Sequence, residues 1–476
     1  MRFLISTLFS SCITLMLLLQ SCTGNSGDVS TVSATTSTDG QTAGARFVKQ
    51  EIAPPFEKLD VKPTTLTLKN HKAQTLHLAS GTSIDVPESA FVDAQGKPVS
   101  GKVDLLFREF HTAAEIMASG IPMKVFGENG EEGWMQTAGM YEINGFSEGK
   151  PVFVAPGKSL TVNLGSRVDG EYDFWRFDPE NGNWDNYGVS NAVPNPARQA
   201  SSEELQELQR SAGNPPAEPV AFRENTPPID LNINLKNFPE LKNKRGIVWQ
   251  YAGKNAKEDP ANNPNLFRQE WDNIELSANA DGKSYQLTLS NDDQTVSLPV
   301  APALKGKDLE QARADYQRQL AVYKKKLLDV DEKKAYLNNL AAFTRSFSIQ
   351  GFGVYNYDIL LKLGETIPLL ANFDFGADVP KNLRSVVSVY LVTGSARTVV
   401  NFPPHDWKKF RFDANADNYL VAVLPGNKLA TFSNEDFKRE LPDMRTSKGN
   451  EYVFRMKVDK DEVKSVKEAE EKLIAL

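Results

Sequence analysis

His111 and Glu115, four residues apart in the stretch REFHTAAEIMASGIPM, are the pair in this chain best spaced for chemistry. On a helix they share a face, and an imidazole and a carboxylate so placed can begin a metal site. Arg108 and Glu109 stand beside them. The same stretch also spells a helix start. Thr112 and Glu115 have the spacing of a capping box, and Gly120 followed by Pro122 ends the helix. Glu115 then turns back to satisfy backbone donors and His111 falls outside the first turn. The capping assignment is favoured on that ground, and His71, His77 and His405, the other histidines, have no carboxylate or second histidine at ligand spacing.

Other motifs fail on a required residue. Gly157-Lys158-Ser159 and Gly282-Lys283-Ser284 echo the end of a phosphate-binding loop, but its first glycine would fall at Val152 and Ser277. Both are expected to be turns. Asp413, Asn415 and Asp417 occupy the first three ligand positions of a calcium loop, yet position 12, which must be a bidentate acid, is Leu424. Trp175, Trp184 and Tyr187 gather around the Asn181-Gly182 turn, where exposed flat rings would stack on a sugar or peptide. Half-buried sheet residues are the commoner use of such rings. No catalytic set, cofactor or metal site is assigned. With 61 acidic residues, a carboxylate pair assembled from distant segments would leave no motif. An envelope hydrolase, most plausibly a glycosidase, is therefore the alternative.

The N-terminus carries the strongest signal. Met1-Arg2 precedes an apolar run from Phe3 to Leu19 with no basic cluster after it. The run is short for a spanning helix, which needs about 20 apolar residues, and suits an export signal. Leu19-Gln20-Ser21-Cys22 resembles the lipobox of bacterial lipoproteins of the Gram-negative envelope. The resemblance implies removal of residues 1–21, a diacylglyceryl thioether on the Cys22 sulfur and a palmitate-type acyl chain on its amine. Each buried CH₂ contributes about 0.8 kcal/mol, so several chains hold firmly where one does not. Cys12 leaves with the signal, so Cys22 has no thiol to pair with. No Asp follows Cys22, which by analogy with lipoprotein sorting points to the outer membrane.

Loss of residues 1–21 removes one basic residue and no acidic one, so the exported chain is more acidic than the net −7 of the full sequence. That balance argues against nucleic acid and against electrostatic attachment to anionic lipid. The expected partners are the membrane, through lipid on Cys22, and an envelope protein or glycan.

The elements that must position any site follow from the periodicities. Residues 22–50, rich in Ser, Thr and Gly, form a disordered tether. Across 51–198, Leu66 and Leu68, Leu76 and Leu78, Ile84 and Val86, then Val103, Leu105 and Phe107 alternate with polar residues. Period 2 broken by frequent turns marks an antiparallel β-sandwich. The unit GTSIDVPESAFVDAQGKPVSGKVDL resembles ZU5-like β-sandwich modules, which implies an interaction fold rather than an activity.

Residues 199–219 hold a short helix, with Ser201 and Glu204 as capping pair and Gly213 as stop, and a Pro-rich linker. A second β domain covers 220–302, with a hairpin at Asp281-Gly282. Over 303–345, Leu309, Tyr316, Leu320, Tyr323, Leu327, Val330, Leu337 and Leu340 recur at helical spacing from Asp308. They predict one long amphipathic helix whose seam buries Leu320 and Leu327. Residues 346–476 return to strands, with short helices near Asn434 and from Asp461. The predicted fold is mainly β within an α+β whole. Serial antiparallel sandwich-like domains are joined by a helical linker and the long helix.

Overall fold

The computed structural model describes residues 49–474, apart from 232–237, 239–240, 242–245, 281–283, 378, 381, 383–385 and 396. The expected export signal with Cys22, nearly all of the expected tether and the expected turn at Asp281-Gly282 lie outside the described residues.

Alternating burial builds the first sandwich. One sheet runs in the order Thr64–Lys69, Lys102–Phe110, Glu132–Ser147, Gly353–Leu360, Glu171–Asp178, Asn183–Asn191, with Lys124–Phe126 and Lys150–Pro151 beside Glu132–Ser147. The other runs Val193–Pro194, Phe343–Ile349, Leu160–Ser166, Ser83–Val86, Gln74–His77. Leu105, Phe107, Tyr141, Val162, Leu164, Phe174 and Tyr357 fill the core of this sandwich. Phe343–Ile349 and Gly353–Leu360 occupy central places in the two sheets. The sandwich therefore extends past the expected 51–198 segment and takes in two strands from residues 343–360, beyond the long helix. Alternation marks a residue run as a strand without naming its neighbours.

The C-terminal β region has a three-stranded sheet, Phe410–Asp413, Thr366–Asp374 and Glu451–Arg455. Its five-stranded partner runs Thr398–Phe402, Val389–Thr393, Tyr419–Leu424, Lys428–Phe432, Lys457–Glu462. Between them lies a cluster of phenylalanines, Phe373, Phe410, Phe412, Phe432, Phe437 and Phe454. A further core joins this region to the first sandwich, packing Ile116, Met117, Trp175 and Trp184 with Val392, Val399, Val421 and Leu473. Residues 457–462 form a strand, so the last helix starts at Val466 and not at Asp461.

A four-stranded antiparallel sheet, Val248–Tyr251, Thr295–Ala303, Tyr285–Ser290, Asn273–Ala278, has its own core around Trp249, Tyr285, Leu287 and Leu298. Two helices flank it in sequence. Helix α2, Pro196–Ala212 (α1 is Ala113–Ser119), is capped by Asn195 and ends at Gly213. Ser201 is thus an interior, buried residue and not the cap. Helix α3, Gly306–Asn339, is 34 residues long, about 50 Å at 1.5 Å per residue.

The two helices run antiparallel. Arg198 at the start of α2 donates to the Leu337 and Leu340 carbonyls at the end of α3, at 2.9 and 2.6 Å. Farther along, Lys326 Nζ donates to the Ser211 carbonyl at 2.5 Å. The seam of α3 faces α2 in part: Val330 is buried and Leu320 half-buried, but Leu327, expected to be buried, is 38% exposed. α2 is half the length of α3, so it cannot cover the full stripe.

Candidate functional site

The His111 segment folds as its capping pattern dictates. Thr112 accepts from the Glu115 N–H at 3.3 Å, and Glu115 Oε2 accepts from the N–H groups of Thr112 and His111 at 3.0 and 2.8 Å. Gly120 ends α1 at φ +66°, where an added Cβ would lie 2.2 Å from the Ala53 carbonyl carbon. Glycine is required there both for the left-handed turn and for the close passage of the N-terminal segment at Ala53 and Pro54. Glu115 is spent on the backbone, and the structure does not bring it to the imidazole as a co-ligand.

His111 instead faces Glu109, with Nε2 3.7 Å from Oε1. Ser80 Oγ donates to that oxygen at 3.0 Å, and the Thr82 hydroxyl donates to it as well. Burial pushes the Glu109 carboxyl up, but the neighbouring His111 imidazole and the hydrogen bonds from Thr82 and Ser80 outweigh it and hold the group below its ordinary 4.5. A carboxylate so held is a poor general acid. Ser80 donates to the carboxylate and not to the imidazole, so the trio lacks the hydroxyl-to-imidazole bond that activates a nucleophile.

The remaining sequence candidates fall apart in space. Trp175 and Trp184 are buried in the central core, their Nε1 groups donating to the Asp358 and Pro122 carbonyls at 3.2 and 2.9 Å. Tyr187 is 39% exposed and sets its ring edge-on to Phe174 in the other core. No three-ring platform is assembled. Trp184 packs in the core shared with the C-terminal β region, whereas the Tyr187 ring meets Phe174 of the first sandwich's own core, beside an irregularity in the strand pairing.

Asp413 accepts from the Gly364 and Asn415 N–H groups at 2.6 and 2.9 Å, while Asp417 accepts from Asn434 at 2.7 Å. This is a pinned turn. Among the described residues, no group of three His, Cys, Asp or Glu side chains is placed to hold a metal ion. Gly157-Lys158-Ser159 is a turn before the strand Leu160–Ser166; its counterpart at Gly282-Lys283 lies outside the described residues.

Three polar groups that local pattern does not single out are buried instead. Asp358 is fully buried and neither carboxylate oxygen has a hydrogen-bond partner. Burial raises its pKa well above the ordinary 3.8, against weaker lowering by Thr137 and Arg397. Arg345, also fully buried, donates to the carbonyls of Val168, Gly170 and Ser190 at 2.8, 2.9 and 3.1 Å, and lies over the Tyr172 ring. It fastens the 166–170 loop with no carboxylate partner in that set.

Between the two β regions, Lys124 Nζ sits 3.4 Å from Glu132 and 3.5 Å from Asp406, over the Phe402 ring. Arg411 completes the cluster at 2.9 Å from Glu132, whose other bond comes from Trp134 Nε1 at 2.7 Å. These charges are paired with one another, which makes them a latch between strands 124–134 and the 404–411 segment.

The surface offers a different kind of feature. Only Val330 is buried in α3, and Val322, Leu328 and Tyr336 are exposed by 59%, 63% and 42%. Where α2 ends, Ala212, Pro216, Val322 and Tyr323 line a depression of about 390 Å³ rimmed by Arg318 and Lys326. The chain between the helices is the four-stranded module, whose sheet pairs with no strand of the main body among the described residues. Comparison with protein-family models, curated proteins and solved structures gives no match for this chain.

Proposed function

We propose that this chain is a lipid-anchored protein of the cell envelope, held at the outer membrane through Cys22, that works without catalysis as a binding or structural module for a protein or glycan. The N-terminal lipobox resemblance supports the address. The observation that carries the molecular role is the α2–α3 pair. It leads to a separately cored sheet and keeps Val322, Leu328 and Tyr336 at the surface. Apolar side chains on a long helix lose their favourable burial unless a partner covers them. The charged residues of the main body meanwhile serve as latch, cap and loop fastener.

Two measurements test it. Cys22→Ser should leave the detergent phase in which the native protein partitions; unchanged partition defeats the lipid assignment. A photo-crosslinker at Val322 or Leu328, in cells, should give one discrete adduct that a crosslinker at Thr65 does not. Equal labelling from both places, or hydrolysis of envelope glycan by the purified chain, defeats the binding role.

A further inference from the structure

The acidic balance of the chain conceals a basic corner. Thr64–Lys69 is an edge strand, and its antiparallel register with Lys102–Phe110 sets Lys69 directly opposite Lys102. Like charges so paired destabilise a sheet. The turn that follows adds His71 and Lys72, and all four side chains are exposed. Among the described residues none of the four is in an ion pair; the nearby Asp104 is engaged by the Thr67 hydroxyl at 2.6 Å. Together with Thr67 and Gln74 they line a depression of about 390 Å³.

The corner is held rigid from beneath. Asn70 is 2% exposed; its Nδ2 donates to the Phe91 and Val99 carbonyls at 2.9 and 2.7 Å, and its Oδ1 accepts from the Phe91 N–H at 3.0 Å. Gln74 Nε2 donates to the Lys69 and Lys72 carbonyls at 2.8 and 3.2 Å. Lys69 at the strand end, His71 and Lys72 on the turn and Lys102 on the neighbouring strand are therefore presented around a concavity, and none of the residues lining it is acidic. A site shaped before its ligand arrives loses little entropy on binding.

We propose that this corner binds a phosphate-bearing anionic group, with Lys69, Lys72 and Lys102 meeting its charge and His71 its oxygens. The chemistry is shared by a soluble phosphate ester and a phospholipid head group. Net charge is an average over the whole surface, whereas screening confines recognition to charges within about 10 Å.

The test uses the full acylated chain in non-ionic detergent micelles, titrated with sodium phosphate or with phosphatidic acid doped into the micelles. Sodium chloride at matched ionic strength is the control. Saturable rises in melting temperature are expected with a phosphate probe and not with chloride. Lys69→Gln with Lys102→Gln should lose at least tenfold in affinity while melting no lower than native without ligand, because the substitutions relieve repulsion. Lys460→Gln, on an exposed strand elsewhere, should bind as native does. A response to phosphate in solution assigns a soluble ester, and a response to phosphatidic acid alone assigns a head group; either supports the site. No saturable response to either probe, the same response to chloride, or native-like affinity in the double variant overturns it.

Discussion

Glu470, 356 positions along the chain from Ala114, accepts a hydrogen bond from the Ala114 backbone N–H at 3.0 Å. The last helix thus places a carboxylate at the start of α1, beside the cap that Thr112 supplies locally. Ala469 and Leu473 of that helix are buried in the same core as Ala113, Ile116 and Met117. A backbone N–H that has no partner within the helix is satisfied, and the helix dipole is met by negative charge. Glu470→Ala should cost about 1 kcal/mol, read as a lower urea midpoint at unchanged slope. An unchanged midpoint would show the contact to be idle.

The local half of the same cap separates two substitutions. Thr112→Ala should cost about 1 kcal/mol, because the Glu115 N–H loses its acceptor. Glu115→Gln should be close to silent, since an amide oxygen accepts the same backbone bonds. A larger loss for the glutamine than for the alanine variant contradicts the cap.

Asp358 gives a pH dependence of definite sign. Its folded pKa lies well above 3.8, so the folded state keeps a proton that the unfolded chain releases. Its contribution is complete below the unfolded value and is lost as pH rises toward the folded one. Asp358→Asn removes the dependence. The stability difference should therefore move in the variant's favour as pH rises above the ordinary carboxyl range, by at most about 1.4 kcal/mol for each pH unit. Urea titrations between about pH 5 and pH 7 measure it, and parallel curves would refute a buried neutral acid.

Glu109 should behave in the opposite sense. Its carboxyl is held below 4.5 in the folded chain. The stabilisation is present above that value and disappears as pH falls through the lower folded one. Relative to native, Glu109→Gln should be destabilised at neutral pH, and the gap should narrow in acid. A gap that does not change across the acid range would place the loss in packing alone.

Arg345 tests shape against charge. Arg345→Lys keeps the positive charge but gives a compact ammonium in place of the planar fork that reaches the carbonyls of Val168, Gly170 and Ser190. At least one buried carbonyl should lose its partner, costing about 1–3 kcal/mol. Thermal melting equal to native would show that charge over the Tyr172 ring is what matters.

Local chemistry was legible along the chain. Alternation in Val103, Leu105 and Phe107 marked a strand with one buried face, and Thr112, Glu115 and Gly120 marked both ends of α1. Gly213 marked the end of α2, and the spacing from Leu309 to Leu340 marked α3. Each depends on residues within a few positions of one another, where backbone geometry alone decides the outcome. Pairing and burial are different, because they depend on which distant segment arrives. Phe343–Ile349 and Gly353–Leu360 alternate like any strand, and only tertiary structure sends them into the first sandwich. Ser201 offered a plausible cap, but Asn195, bonded to the Ala341 carbonyl at 3.0 Å, starts the helix earlier. Trp175 and Trp184 became core residues because a second β region closed over their face. Asp358 became a buried acid because strands from distant parts of the chain closed around it, and the burial outweighs Arg397 and Thr137. Lys69 and Lys102 stand 33 positions apart in sequence and became a pair through register, the property that alternation leaves open.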